Sequence, residues 1–193
     1  MGKQVTLSEV ASITLGQTFR RKAEAADGEV KLVQIKDLQE GRLSDIDHLP
    51  FAAIDKMKLK VTLAKGDILL PLRGERIVAS LVDFNDLKNK VTTTNQVAII
   101  RASSAKLNIE YLLWFFNSKI GQQSIKKIRF GSTVPNISLS VLKELVIPLP
   151  SLNEQHEIIE IYKNWFKQKQ IMHELICNGE CLIDKLCLKI LGV

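Results

Sequence analysis

Guanidinium, ammonium and short polar side chains collect in several stretches of this chain that a core does not need. They are Arg20, Arg21 and Lys22, Arg73 and Arg76 around Gly74, the run Thr92 to Asn95, Lys126 and Lys127 with Arg129, and Ser132 with Thr133. Side chains of these types in polar loops bind rather than convert. Lysine and arginine neutralise phosphates and release their counterions. Arginine to guanine and asparagine or glutamine to adenine are the pairings that read base edges. The expected ligand is double-stranded DNA. The residues expected to touch it are Arg20, Arg21, Lys22, Arg73, Arg76, Thr93, Thr94, Asn95, Lys126, Lys127, Arg129, Ser132 and Thr133.

Catalytic constellations are missing. There is no G-x-G-x-x-G, no GxxxxGK[ST] and no HExxH, and the few glycines are too scattered to cradle a phosphate or a cofactor. The chain has no Asn/Asp-Pro-Pro-aromatic tetrapeptide of the kind DNA amino-methyltransferases carry. His48, His156 and His173 lack partners for acid–base work. Asp45 and Asp47 are too few for two-metal hydrolysis, which needs clustered carboxylates. The acid-x-Lys of Asp86 and Lys88 falls in a polar turn and not on a strand. His173, Cys177 and Cys181 form one stripe of a helix, but residues i and i+8 lie about 12 Å apart along the axis and cannot surround one zinc ion. No catalytic residue and no metal site are expected. The odd cysteine count, with Cys187 as the third, suits reduced thiols.

Charge divides the chain. Residues 1–150 hold 22 Lys/Arg against 15 Asp/Glu, and residues 151–193 hold 5 against 6. No acid lies between Glu110 and Glu144, a stretch that includes Lys119, Lys126, Lys127, Arg129 and Lys143. One-sided charge on one domain favours a polyanion. No apolar run approaches the roughly 20 residues of a membrane span, and the N-terminus lacks the apolar core of a signal peptide. A cytoplasmic protein with no membrane contact is expected.

The elements that must position the loops read as mixed α and β. Leu7 to Ala11 is a short helical turn capped by Thr6. Apolar, β-branched runs at Lys31–Ile35, Asp67–Leu70, Ile77–Val82, Gln96–Ile100 and Leu145–Leu149 predict strands, bounded by Gly, Asp, Asn or Pro. Asn108 caps a helix through Asn117, with Tyr111, Leu112, Phe115 and Phe116 on its buried side. A second short helix follows over Gln122–Ile128.

From Ser151 the pattern changes. Ser151 and Glu154 make a capping box. Ile158, Tyr162, Trp165, Lys169, Met172, Ile176, Gly179, Ile183, Leu186 and Ile190 keep a strict 4-3-4-3 spacing. Eight of these ten are apolar, which predicts a coiled-coil seam roughly 50 Å long at 1.5 Å per residue. Asn178-Gly179 is a place for a kink or a break. One helix cannot bury this stripe, and the chain supplies no second one of comparable length. The dimerisation residues are therefore Ile158, Tyr162, Trp165, Met172, Ile176, Ile183, Leu186 and Ile190, with a helix folded back over its own domain as the other solution.

In order, LSEVASITLGQTFRR, KGDILLPLRG, TTTNQVAIIRA, NIEYLLWFFNS and GSTVPNISLSVLKELVIPLPSLNEQHEI resemble the specificity subunit of a type I restriction–modification system over nearly the whole chain. The resemblance implies an α/β (α+β) DNA target-recognition domain, residues 1–150, and a long C-terminal spacer and dimerisation helix, residues 151–193. The family's usual subunit has two recognition domains and two spacer helices. One of each is present here, as in a half-size form. That form implies a homodimer or a pair with another half-size subunit, reading a bipartite target. It implies as partners a methyltransferase subunit using S-adenosylmethionine and a restriction subunit using ATP and Mg, with no cofactor on this chain. A coiled-coil adaptor or decoy that pairs with another specificity subunit without touching DNA is the competing reading.

Overall fold

In the computed structural model, which describes residues 3–43, 45–75, 77–84, 90–131 and 135–192, the chain divides into two compact units at Gln155–His156. The first unit opens with β1 (Lys3–Thr6), α1 (Leu7–Val10) and β2 (Ala11–Leu15). Glu9 closes the α1 start by accepting from the Thr6 backbone N–H at 2.6 Å and from its hydroxyl at 3.0 Å. Short strands follow: β3 (Glu24–Ala25), β4 (Val30–Val33), β5 (Gly41–Leu43), β6 (Phe51–Ala52), β7 (Ile68–Pro71), β8 (Ser80–Val82), β9 (Lys90–Thr93) and β10 (Val97–Ala102). Then come α2 (Ile109–Asn117), α3 (Lys119–Lys127), α4 (Leu139–Lys143), β11 (Val146–Leu149) and α5 (Leu152–Leu191).

The strands form a five-stranded sheet, β2-β10-β7-β8-β5, a four-stranded sheet, β3-β6-β4-β9, and the antiparallel pair β1-β11. The two larger sheets share a core. Val33 of β4 and Val91 of β9 join Leu69 of β7, Val82 of β8 and Val97 and Ile99 of β10 in one cluster. The alternate residues Ile68, Leu70, Ala98 and Ile100 are also buried, so the larger sheet is covered on both faces. A strand overlaps each expected run: β4, β8 and β11 are shorter than the run that marked them, β7 is shifted by one residue and β10 runs on to Ala102.

Polar side chains stitch the helices to the sheets. Asn108 caps α2 by accepting from the Glu110 N–H at 2.9 Å. At its other end the Asn117 amide accepts from Ala79 N and donates to Ala79 O, at 2.9 and 3.0 Å. The Tyr111 hydroxyl donates to the Pro148 carbonyl at 2.9 Å, and burial pushes its pKa up to about 12. Asp67, with a side chain 2% exposed, accepts from Arg101 Nε at 2.6 Å and from a terminal guanidinium nitrogen at 2.9 Å. It also accepts from Ala64 N, which closes the turn opening β7.

In the second unit α5 runs through Asn178 and Gly179 as one helix, without the break that this pair allowed. A glycine costs a helix only about 1 kcal/mol relative to alanine, which a helix of 40 residues tolerates. Trp165, Met172, Ile176, Leu186 and Ile190 are exposed, as is Ile183 at 61%. Ile158 and Tyr162 are partly covered.

The start of α5 belongs to the first unit. Ser151 N donates to Glu154 Oε2 at 2.8 Å, and Glu154 N donates to Ser151 Oγ at 3.4 Å. Gln155 is fully buried. It accepts from Asn108 N at 2.8 Å and donates to the carbonyls of Lys106 and Pro150 at 2.8 and 2.9 Å. Gln155→Ala strands a backbone donor and two acceptors, so it should destabilise the chain by about 1–3 kcal/mol. Urea unfolding followed by tryptophan fluorescence measures the loss.

Candidate nucleic-acid interface

Strand register decides which loops meet. In the larger sheet Leu15 of β2 lies opposite Ala98, and Pro71 of β7 lies opposite Val97. The end of β2, the end of β7 and the start of β10 therefore share one edge. Three connections leave from it: the segment after Leu15, the loop after Pro71 and the turn at Thr94–Gln96. Backbone bonds tie them together, with Leu72 N to Gln96 O at 2.8 Å, Gly16 N to Val97 O at 3.1 Å and Asn95 N to Gln17 O at 3.0 Å. Gly16 is required there. A Cβ on it would fall 2.4 Å from Thr94 O and 2.5 Å from Thr93 O.

A fourth segment arrives from α3. Phe130 and Asn136 exchange backbone hydrogen bonds at 3.0 and 2.9 Å, Asn136 bridges to Arg73, and Ile137 N donates to Leu72 O at 2.9 Å. The result is an open cleft of about 310 Å³ lined by Arg73, Asn95, Gln96, Asn136, Leu15 and Ile137. Arg73, Asn95 and Gln96 are exposed. Arginine brings only donors, while each carboxamide brings both donors and an acceptor. Asn136 spends its oxygen on Ile137 N at 2.9 Å, so its NH₂ is the group it can offer.

The sequence-predicted residues fall into several kinds of place. Arg73 and Asn95 line the cleft, with Thr94 beside them and partly exposed. Arg20, Arg21 and Lys22 are exposed in the segment that leaves the same edge, and Lys126 and Lys127 are exposed in the last turn of α3. Arg76, Ser132 and Thr133 lie outside the described residues.

Two expectations need correction. Thr93 is fully buried and its hydroxyl donates to Val33 O at 2.8 Å, because β9 is covered on both faces, with Thr92 also fully buried. Arg129 donates to the carbonyls of Gly74 and Glu75, so it holds the Arg73 loop from beneath and does not stand free for a phosphate. Gln122, which donates to Ile77 O at 2.8 Å, and Asn117 fix the strand that leaves that loop. Gly74 turns it with φ +113°, a conformation that favours glycine.

Gln96 and Asn136 were not anticipated. Gln96 falls inside a predicted strand, and Asn136 is far in sequence from Arg73, Asn95 and Gln96. Asn136-Ile137-Ser138, a polar residue ahead of the Ser138 cap of α4, was the available signal.

Several acids of this unit are engaged away from the cleft. Glu24 pairs with Lys36, Asp67 with Arg101, and Asp83 with both Lys65 and Arg42. Lys65 and then Arg42 hold the Asp83 carboxyl below its ordinary range. Among the described residues no ion pair ties up Arg20, Arg21, Arg73, Lys126 or Lys127. Nor do three His, Cys, Asp or Glu side chains among them gather as a metal site would need, and no helix is long and apolar enough to cross a membrane.

Residues 3–177 match the type I restriction modification DNA specificity domain family. The MjaVIII and MjaIX specificity subunits of Methanocaldococcus jannaschii are each 26% identical to this chain, over 83% and 88% of it, and the EcoBI specificity subunit of Escherichia coli is 25% identical over 84%. Those alignments cover 38%, 40% and 34% of the relatives, so the chain spans about two fifths of the length of the curated relatives it matches. The fold is shared with a chain from a structure of type I R-M complex assembly, with a TM-score of 0.72 at 18% identity over 95% of this chain and 43% of that one. It is also shared with the HsdS subunit of Thermoanaerobacter tengcongensis, with a TM-score of 0.63 at 18% identity over 86% of this chain and 37% of that one.

The two kinds of basic residue should separate under mutation. Arg129→Ala removes charged hydrogen bonds to two carbonyls and should cost about 1.5–3 kcal/mol of stability. Lys126→Ala and Lys127→Ala should each stay within about 0.5 kcal/mol, as exposed surface changes do. Thermal unfolding of the three variants checks both.

Proposed function

Since the chain belongs to the type I restriction modification DNA specificity family, we propose that it is a non-catalytic module that recognises a DNA sequence for a methyltransferase and a restriction subunit. The observation that carries the reading is the convergence of Arg73, Asn95, Gln96 and Asn136 on one open cleft, at the sheet edge from which the Arg20–Lys22 segment also leaves. Arginine and carboxamides are the side chains that make bidentate contacts to guanine and adenine. Exposed cations outside the cleft set register on the phosphates without reading sequence. S-adenosylmethionine, ATP and Mg belong to the partner subunits.

The helix completes the proposal. Exposed apolar residues at heptad spacing on α5 call for a second helix, and a second copy of this chain or another chain of the same kind supplies it. At 1.5 Å per residue its 40 residues measure about 60 Å, beyond the ≈ 34–36 Å of one DNA turn. Two modules joined along such helices meet DNA in two separate segments. The target is therefore bipartite, and palindromic for two identical copies.

Fluorescence anisotropy with the selected target and with unrelated duplexes, across a salt series, tests the DNA reading. Arg73→Ala should lose about 1–3 kcal/mol on the target and relax one base position. Lys126→Ala combined with Lys127→Ala should weaken all sequences alike and flatten the slope of log K against log salt by about two. A chain that binds no duplex at any salt would leave only the adaptor reading.

Ile183→Asp puts an unpaired ion into the proposed dry seam, where it costs several kcal/mol. Light scattering should then report a monomer while the first unit stays folded. A monomeric parent chain would sink the pairing.

A further inference from the structure

The turn at Lys56–Lys58 carries a methionine, Met57, that is 91% exposed. The turn is fixed. Asp55 Oδ1 accepts from Met57 N at 2.8 Å, and Lys58 N donates to Asp55 O at 2.9 Å. Ile54 and Leu59 on either side pack against the same small cluster of Val30, Leu32 and Ala52. An isolated exposed apolar side chain is ordinary. Its neighbours make this one different.

Phe19 and Ala23, which bracket Arg20, Arg21 and Lys22, pack on that same cluster. Ala53 N donates to Ala23 O at 2.7 Å, and Lys60 N donates to Gln17 Oε1 at 3.1 Å. The methionine turn and the arginine segment are thus neighbouring projections from one small core, both linked to the sheet edge that carries the cleft. Lys58 and Lys60 are exposed, and Lys56 makes only a 3.6 Å surface pair with Glu29. A thioether on a rigid turn is held out among cations.

We propose that the Lys56–Lys58 turn is a second DNA-reading element, in which Met57 meets the C5-methyl of a thymine while the adjacent lysines take phosphates. The inference rests on the DNA-binding reading above. The thymine methyl is the apolar group that the major groove displays. The unbranched, polarizable methionine side chain adapts to such a contact. The lysines supply the charge that brings an otherwise apolar tip to a polyanion.

The test uses the full chain and duplexes that it selects from a random pool. Each thymine of the selected target is replaced in turn by uracil, which lacks only the methyl. One buried methyl is worth about 0.8 kcal/mol, so binding should weaken about fourfold at one position. Met57→Ala, which removes an exposed side chain and keeps the capped turn, should bind the thymine duplex about as weakly as the parent binds the uracil one, and should be indifferent to uracil there. A Met57→Ala chain with the parent's uracil profile overturns the proposal. So does a parent indifferent to uracil everywhere, including one that bends its target by wedging Met57 between base steps. If Arg73→Ala still loses target binding in either case, the DNA reading stands and only the role of Met57 falls. If the chain selects no duplex, both fall.

Discussion

The close approach of one backbone to another at Gly16 governs the recognition unit. β2 belongs to the five-stranded sheet and β9 to the four-stranded one, and the chain leaving β2 lies directly on the Thr93 and Thr94 carbonyls. Gln17 N donates to Thr93 O at 2.7 Å, and Asn95 N returns a bond to Gln17 O. A methyl group at residue 16 has no room. This seam welds the two sheets at the edge where the connections emerge, so the turn bearing Asn95 and the segment bearing Arg20 to Lys22 are placed by the same few bonds. The Arg73 loop is held from a different direction, by Arg129, Gln122 and Asn117 of the helical segment. A cleft braced from both sides, with Leu72 N bonded to Gln96 O across it, holds its polar groups in place without a ligand, which is what preorganised recognition needs.

Electrostatics follows from who pairs with whom. The first unit is only moderately basic in count, yet several of its acids are consumed in internal work. Asp67 is nearly buried against Arg101, Asp83 draws in Lys65 and Arg42, and Glu9 and Glu154 cap helices. Pairing holds the carboxyls of Asp83, Glu24 and Glu154 below their ordinary range, so all three stay charged at neutral pH. Among the described cations that no ion pair engages are Arg20, Arg21 and Arg73 of the connections and Lys126 and Lys127 at the end of α3. Exposed cations without an acid partner are the kind of field that attracts a polyanion.

Much of this was legible in the residues, and the boundary of legibility has a physical cause. Local signals held: the Asn108 cap, the Ser151–Glu154 box and the apolar faces of α2 and α5 are set by neighbours three or four residues away. The very short strands β3, β5 and β6 have no periodicity of their own and exist only through long-range partners. The same limit divided the candidate site. Thr93 and Thr94 are adjacent and chemically alike, but Thr93 is the last residue of a strand covered on both faces, while Thr94 lies past its end and is partly exposed. Arg129 sits in a run of bases with Lys126 and Lys127, yet only the folded chain brings Gly74 and Glu75 beneath its guanidinium. Asn136 was invisible because its partners in the cleft come from residues 73 and 95. The lysines at 56, 58 and 60 were written in the sequence as an alternating run, but their tie to Gln17 and Ala23 was not.

The junction at Gln155 links domain and helix energetically. A long helix with an exposed apolar stripe is marginal by itself, because its first turn costs more order than it gains in bonds. Here the first turn is already made. The Ser151–Glu154 box satisfies its free N–H groups, and the Gln155 amide joins α5 to the α2 cap and to the Lys106 and Pro150 carbonyls. Folding of the first unit thus nucleates α5 from its N-terminal end, and elongation proceeds with one bond gained per residue ordered. Under the pairing proposed above, a seam prepared in this way would meet its partner with part of its ordering entropy already spent, which strengthens association without any added contact. On that proposal Gln155→Ala should weaken pairing along α5 even though it touches no residue of the seam, which light scattering over a dilution series measures.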